Sequence, residues 1–211
     1  MSKSGTSVFN DTRDGRRHAP WRRTVTAVSI IALLAGQLAA PLAQAQQASP
    51  RVITDPNAPI QFRPNVGSSA NGTPQIDITA PSSGGISHNR FRQYDVDTRG
   101  VILNNATSGG TSVIGGTVNA NPNLIGSGPA AIILNEVTGS TASSLAGPTE
   151  VFGRRANVII ANPNGVGCAG CTFINTGTVT LSAAVPLPNY ATGAVSYDLS
   201  RGGQVSVSGA G

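Results

Sequence analysis

The segment VFGRRANVIIANPNGVGCAGCTFINTGTVTL, residues 151–181, contains the features that decide the fold. Short runs of Val, Ile and Thr alternate in it with Gly, Asn and Pro. β-Branched residues favour strands, whereas Gly and Asn accept the left-handed backbone angles of tight corners. The segment therefore predicts short strands that are joined by sharp corners.

The same pattern extends through most of the chain, and it predicts an all-β fold. Strand-like runs occupy residues 74–81, 99–105, 110–118, 130–139, 149–163, 176–184 and 203–209. A β-sandwich and a parallel β-helix both fit such runs, but the slim apolar residues and the scarcity of aromatic rings favour the β-helix. In a β-helix, similar side chains of successive coils stack on one another at the strand spacing of about 4.8 Å.

The first 45 residues predict a secretory signal peptide. A basic segment at 16–23 precedes an apolar run at 25–40 and the sequence Ala-Gln-Ala at 43–45. This order is typical of a signal that is cleaved after a small residue, here between Ala45 and Gln46. A membrane anchor is disfavoured because the apolar run is short and interrupted. Residues 46–211 then form one domain.

Charge gives no support for nucleic-acid binding. The net charge is +5, but most of the excess lies in the predicted leader, and no lysine follows it. The remaining sequence has nearly balanced charge and no basic stripe. We therefore expect no nucleic-acid partner.

Several motifs together resemble the secretion domain of two-partner secretion exoproteins, a family of filamentous-haemagglutinin-like adhesins, haemolysins and contact-dependent inhibition toxins. The resemblance runs from about Val52 to Leu181. Its motifs are ITDPNAP (53–59), FRQYDVDTRGVILNN (91–105), NPNL (121–124), IILNEV (132–137), VFGRRANVIIANPNGV (151–166) and CAGCTFINTGTVTL (168–181).

The resemblance implies a right-handed parallel β-helix with an N-terminal β-cap. It also implies export through Sec to the periplasm of a Gram-negative bacterium. There, an outer-membrane β-barrel transporter recognises the chain through its periplasmic transport-associated domains, and the chain folds outside the cell. The expected protein is a secretion module without catalysis or cofactor, and its parent is a virulence adhesin, haemolysin or toxin. A host or neighbouring cell surface is a further partner that the resemblance allows.

Two Asn-Pro-Asn elements match the signature positions of that family, apart from Val166, where Ile is usual. Each element forms a β-turn on physical grounds, because Pro fixes φ and Asn bonds its own backbone. Recognition by the transporter is the other role, and the sequence leaves both open. The matched residues are Asn121, Pro122, Asn123 and Leu124 in the first element and Asn162, Pro163, Asn164 and Gly165 in the second.

The two cysteines, Cys168 and Cys171, are expected to form a local disulfide that clamps a turn. Export favours disulfides, and two cysteines without a neighbouring histidine cannot complete a zinc site. Free thiols and a redox or metal role remain as alternatives. No metal site is predicted.

Other functions can be set against secretion. Asp95 and Asp97 are expected on one face of a strand, where paired carboxylates could catalyse hydrolysis, so a carbohydrate-acting β-helix enzyme is one rival. A stand-alone adhesin is another. The Pro-rich stretch from Arg51 to about Arg92 is expected to cover the N-terminal end of the helix. The sequence stops at SVSGAG without a recognisable cap, so we expect it to be the front part of a longer domain or protein.

Overall fold

A computed structural model describes residues 51–209. The predicted signal peptide and its cleavage site, Ala45–Gln46, lie outside the described residues. Within 51–209 no helix is long and apolar enough to cross a membrane.

Seventeen short strands make up the fold, with 3₁₀ turns at Ile60–Phe62 and Pro122–Leu124. The strands are β1 (Val52–Thr54), β2 (Asn65–Ser68), β3 (Pro74–Asp77), β4 (Ile86–Tyr94), β5 (Val101–Asn105), β6 (Gly110–Ser112), β7 (Gly116–Val118), β8 (Ile132–Val137), β9 (Ser143–Leu145), β10 (Pro148–Gly153), β11 (Ala156–Ala161), β12 (Val166–Ala169), β13 (Thr172–Ile174), β14 (Thr176–Ser182), β15 (Val185–Pro188), β16 (Val195–Asp198) and β17 (Val205–Ser208).

The chain winds through three parallel sheets, which confirms the predicted parallel β-helix. Sheet 1 contains β3, β5, β10 and β13, sheet 2 contains β4, β8, β11 and β14, and sheet 3 contains β9, β12 and β17. Coil 1 holds β3 and β4. Each later coil contributes one strand to every sheet. Coil 2 contains β5, β8 and β9, coil 3 contains β10, β11 and β12, and coil 4 contains β13, β14 and β17. In coil 1, the third side is a single bridge from Val96 to Leu145.

Coils differ in length, which explains why the sequence shows no clean repeat. Thr149 pairs with Val101 below it and with Phe173 above it, yet the first step is twice as long as the second. The shorter step is roughly 24 residues, within the range of solenoid repeats. The additional residues in the longer step form a hairpin outside the helix.

Inward side chains stack in apolar columns between the sheets. Ile133 of β8 pairs with Val158 of β11, which pairs with Val179 of β14. Ile76 and Leu103 form a similar column on sheet 1, and all of these except Val179 are buried. Slim branched residues suit these columns because the parallel register places like side chains directly above one another.

Two antiparallel hairpins lie on the outer faces. Hairpin A, β6–β7, packs Ile114 and Val118 on Ile102 and Phe152 of sheet 1. Hairpin B, β15–β16, covers sheet 2. Residues 110–118, predicted as a strand of the fold, therefore form a hairpin outside the coils. Their apolar side chains Ile114 and Val118 pack on the outer face of sheet 1 instead of the interior.

An N-terminal cap covers the first coil and confirms the predicted β-cap. β1 runs antiparallel to β4, and β2 runs antiparallel to β3, so each closes a sheet edge that would otherwise be open. The expected cap at 51–92 is too long, however. β3 and β4 belong to coil 1 because Ile76 and Phe91 point into the core.

One interior column of sheet 2 contains a polar mismatch. Asn135 lies above Asn89 and below Ile160, and both of its side-chain polar atoms are buried without a hydrogen-bond partner among the described residues. Asn89, in contrast, accepts from the Thr79 N–H at 2.9 Å and donates to the Leu134 carbonyl at 3.4 Å. An unpaired buried amide costs free energy, so Asn135 lowers the stability of the fold, whereas the hydrogen-bonded Asn89 raises it.

We expect Asn135→Leu to raise the free energy of unfolding by about 1–2 kcal/mol, because it removes two unpaired buried atoms and extends an apolar column. Asn89→Leu, the matched control in the same column, should lower it by about 1–3 kcal/mol because the Thr79 N–H loses its acceptor. Urea unfolding followed by circular dichroism measures both. Equal destabilisation by the two variants would contradict the assignment.

Candidate functional site

The first Asn-Pro-Asn element is a staple between coils. Asn121 is buried, and its amide donates to the carbonyls of Ile78 at 2.9 Å and Asn104 at 2.8 Å. Its side-chain oxygen accepts from the Asn123 N–H at 2.9 Å, and Pro122 begins the 3₁₀ turn. Leu124 then enters the core. The element thus binds a turn of coil 2 to coil 1.

The second element has the same construction one coil later. Asn162 is fully buried, and its amide donates to the Thr141 carbonyl and to the Ser143 hydroxyl at 2.9 and 3.0 Å. Its oxygen accepts from the Asn164 N–H at 2.9 Å. Asn164 donates to the Gly139 carbonyl at 2.8 Å. The turn therefore holds coil 3 on coil 2.

Few atoms of these elements face solvent in the folded protein. Pro122 and Asn164 are exposed and Asn123 is half-buried, whereas Asn162, Pro163 and Gly165 are buried. Gly165 has a φ of 118°, and a Cβ there would lie 2.9 Å from the Gln204 carbonyl oxygen. The folded turns consequently expose only a small surface to a partner.

The cysteine pair closes the corner between sheet 3 and sheet 1. Cys168 lies on β12, Cys171 precedes β13, and the two form a disulfide in the structure with their Cα atoms 5.4 Å apart. Both are buried in the main core, and Gly170 between them has a φ of 77°. The bond thus fixes a corner inside the core. Within residues 51–209, no group of three or more His, Cys, Asp or Glu side chains could hold a metal ion.

Asp95 and Asp97 follow strand β4, which ends at Tyr94, and both carboxylates are engaged in structural contacts. Asp95 accepts from the Ser144 N–H at 2.8 Å and from the Gln93 amide at 2.6 Å. Asp97 accepts from Arg99 at 3.0 Å. Partial burial raises the pKa of Asp97, but the bonds and charge from Arg99 outweigh burial and lower it overall.

Two glutamates, which sequence reasoning missed, each anchor one outer hairpin. Glu150 on β10 accepts from the Ser112 hydroxyl at 2.6 Å and from the backbone N–H groups of Val113 and Ile114 at 2.9 and 3.0 Å. These atoms form the turn of hairpin A. In the sequence, each glutamate is a single acid inside an apolar strand, in PTEVF and in IILNEV. Such a pattern indicates a buried carboxylate with hydrogen-bond partners.

Glu136 on β8 belongs to a polar cluster beneath hairpin B. It accepts from His88 Nε2 at 2.7 Å and from Arg90 Nε at 2.8 Å. His88 Nδ1 lies 2.7 Å from the Tyr190 hydroxyl. Burial raises the pKa of Glu136, but the His88 hydrogen bond and the Arg90 charge outweigh it and lower the pKa overall. The ionised carboxylate thus accepts a hydrogen bond from the Nε2–H of His88, and the other ring nitrogen faces the Tyr190 hydroxyl.

A family match covers most of the chain. Residues 50–211 match the family described as TPS secretion domain.

Curated relatives are similar over the same region. Toxin CdiA of Yersinia pestis is 47% identical over 151 residues, which span 72% of this chain and 4% of that protein. A hemolysin of Serratia marcescens is 44% identical over 124 residues, which span 59% of this chain and 8% of that protein. The matched region is thus less than a tenth of either relative.

A solved structure supports the fold. The crystal structure of a filamentous hemagglutinin secretion domain superposes with a TM-score of 0.60 at 38% identity, covering 66% of this chain and 44% of that one. The architecture of coils and cap therefore matches a known secretion domain.

We expect Asn162→Ala to lower the free energy of unfolding by about 2–3 kcal/mol, because it removes the buried bonds that hold coil 3 on coil 2. Asn164→Ala, the matched change at the exposed position of the same turn, should cost about 1 kcal/mol or less. Urea midpoints distinguish them. If both variants were equally stable, the staple role would be wrong.

Replacing both Cys168 and Cys171 by Ala should lower the free energy of unfolding by about 2 kcal/mol at most, because the closed loop is very short. The circular dichroism spectrum should keep its β-sheet shape. A double variant that failed to fold at all would show that the corner depends on the disulfide.

Proposed function

Because the chain belongs to the TPS secretion domain family and is therefore the secretion module of a two-partner secreted protein, we propose that its coils assemble only after it has crossed the outer membrane. The partner is an outer-membrane transporter. In this proposal, the transport-associated domains of that transporter bind the chain in the periplasm while it is unfolded. The parallel coils then form outside the cell, one upon another.

The observation that carries this proposal is the burial of the two Asn-Pro-Asn elements. Asn121, Asn162 and Pro163 are inaccessible in the folded protein. A transporter that reads these residues must therefore meet them before the coils close. The disulfide is compatible with such passage, because it joins residues only three apart in sequence.

Delivery to the periplasm requires a leader, and we assign it to residues 1–45. Sec recognises the basic and apolar parts of this segment, and signal peptidase cuts between Ala45 and Gln46. The secretion domain proper then comprises residues 46–211, as the front of a longer protein. Because the proposed route crosses a periplasm and an outer membrane, we propose that the chain comes from a Gram-negative bacterium.

The activity of the whole protein is a separate proposal, because the chain spans so little of its relatives. Those relatives are named Toxin CdiA and hemolysin, and the structural neighbour is a secretion domain of filamentous hemagglutinin. We assign to this chain a parent of the same broad class, an adhesin, haemolysin or toxin that acts on a host or neighbouring cell. The secretion domain itself is a non-catalytic module.

Co-expression tests the proposed export. The chain should reach the medium or the cell surface when the cognate barrel is present and stay in the periplasm without it. Mass spectrometry of the exported protein should give an N-terminus at Gln46. Retention of the chain in the periplasm whether or not the barrel is present would refute the proposal.

A binding measurement separates recognition from folding. Asn164→Ala alters an Asn-Pro-Asn element, whereas Asn175→Ala alters another exposed asparagine that also donates to the preceding coil, at 2.7 Å to the Val151 carbonyl. We expect only the Asn164 variant to bind the purified transport-associated domains more weakly, roughly tenfold, when presented unfolded in dilute urea. Unchanged binding with lost secretion would leave the turns a folding role alone.

A further inference from the structure

Hairpin B leaves coil 4 and lies across the outer face of sheet 2. Its residues Val195 and Tyr197 pack on an apolar cluster that contains Ile86 of coil 1, Leu134 of coil 2 and Ile159 of coil 3. A single late element thus packs on a cluster whose members come from all three preceding coils. In most solenoids each repeat contacts only its neighbours, so this arrangement is an exception to nearest-neighbour coupling.

The tip of hairpin B is fastened to coil 1 by side chains. The Tyr190 hydroxyl is hydrogen-bonded to Nδ1 of His88 on β4, and His88 donates from Nε2 to Glu136 on β8 in coil 2. Arg90 bonds the same carboxylate and lies 5.5 Å from the ring centre of Phe62. Phe62 in turn stacks on Tyr190 with ring centres 5.7 Å apart. Cap, coil 1, coil 2 and hairpin B therefore meet at one network, in which His88 and Glu136 are buried and Tyr190 is partly exposed.

Backbone contacts fasten the same tip. The Gly84 N–H donates to the Tyr190 carbonyl at 2.7 Å, between β3 and β4 of coil 1. A Cβ at Gly84 would collide with the Gly193 nitrogen and would lie 2.8 Å from the Tyr190 oxygen. Only glycine at this position lets the hairpin approach so closely.

We propose that hairpin B is a clamp that joins coil 4 to coil 1, so that hairpin B and β4 open together. The apolar surface on which it lies exists only after β4, β8 and β11 have paired, so the hairpin docks last. Once docked, it prevents coil 1 from opening at its free end. The Tyr190–His88–Glu136 network is the fastening, and these three are positioning residues for the clamp. This inference concerns the folded chain and does not depend on the proposed transporter.

Hydrogen exchange of the folded chain tests the clamp. Tyr190→Phe removes one hydroxyl while keeping the ring that stacks on Phe62. Loss of one hydrogen bond should make the amides of hairpin B and of β4 exchange about fivefold faster. Amides of β10, which lies on sheet 1 of the central coil and is not covered by hairpin B, should keep their rates. Tyr197→Phe is the matched control, because it removes the same group from a ring that packs on the outer face of sheet 2, away from the Tyr190–His88–Glu136 network.

A second variant reaches the same contact without changing any polar side chain. Gly84→Ala should lift the tip of the hairpin by steric collision and should reproduce the faster exchange of β4 and hairpin B. Gly67→Ala on β2 is its control, because no heavy atom lies within 4 Å of a Cβ there.

Three results would overturn the clamp. Faster exchange in hairpin B alone would mean that the tip is fastened without protecting coil 1. A uniform increase in all strands would indicate general destabilisation rather than coupling between the ends. If the Tyr190→Phe and Gly84→Ala chains exchanged at the same rates as their controls, these contacts would not fasten hairpin B to coil 1.

Discussion

Every feature of this protein depends on the parallel pairing of each coil with the coil below it. Backbone hydrogen bonds along three sheets fix the register, and that register places side chains in columns, as with Ile133, Val158 and Val179. The corners must then bring the chain back above its own start. Buried asparagines supply this closure, since Asn121 and Asn162 each satisfy carbonyls of the preceding coil while shaping their own turn.

Parallel stacking also leaves surfaces that need cover. The outer faces of sheets 1 and 2 are apolar, and each is shielded by a hairpin that extends from a coil. One buried glutamate holds each hairpin: Glu150 binds the backbone of one turn, and Glu136 binds the tip of the other through His88. A buried carboxylate is stable only when it is bonded, so these acids stabilise the hairpins only in the docked position.

The same construction suits a secretion module. Local turns, short strands and a disulfide within one corner fit the proposed passage of an extended chain whose coils then form in order. The two Asn-Pro-Asn elements connect successive coils. In the route we propose, the transporter binds these residues while Asn162 is accessible, and the same residues complete the fold once Asn162 is buried.

The sequence by itself determined the β-helix, many of its strands and the two asparagine turns, because β-branched runs, Gly, Asn and Pro act through local backbone preferences. It also carried the motifs of the family. Only the tertiary structure decided that residues 110–118 leave the helix, that β4 belongs to coil 1, and that Glu136, His88 and Tyr190 meet. These residues lie far apart in sequence. Their contacts depend on the length of each coil, and insertions of unequal size prevent that length from being read from the sequence. Pairing at a distance depends on the register of whole coils, which no local preference encodes.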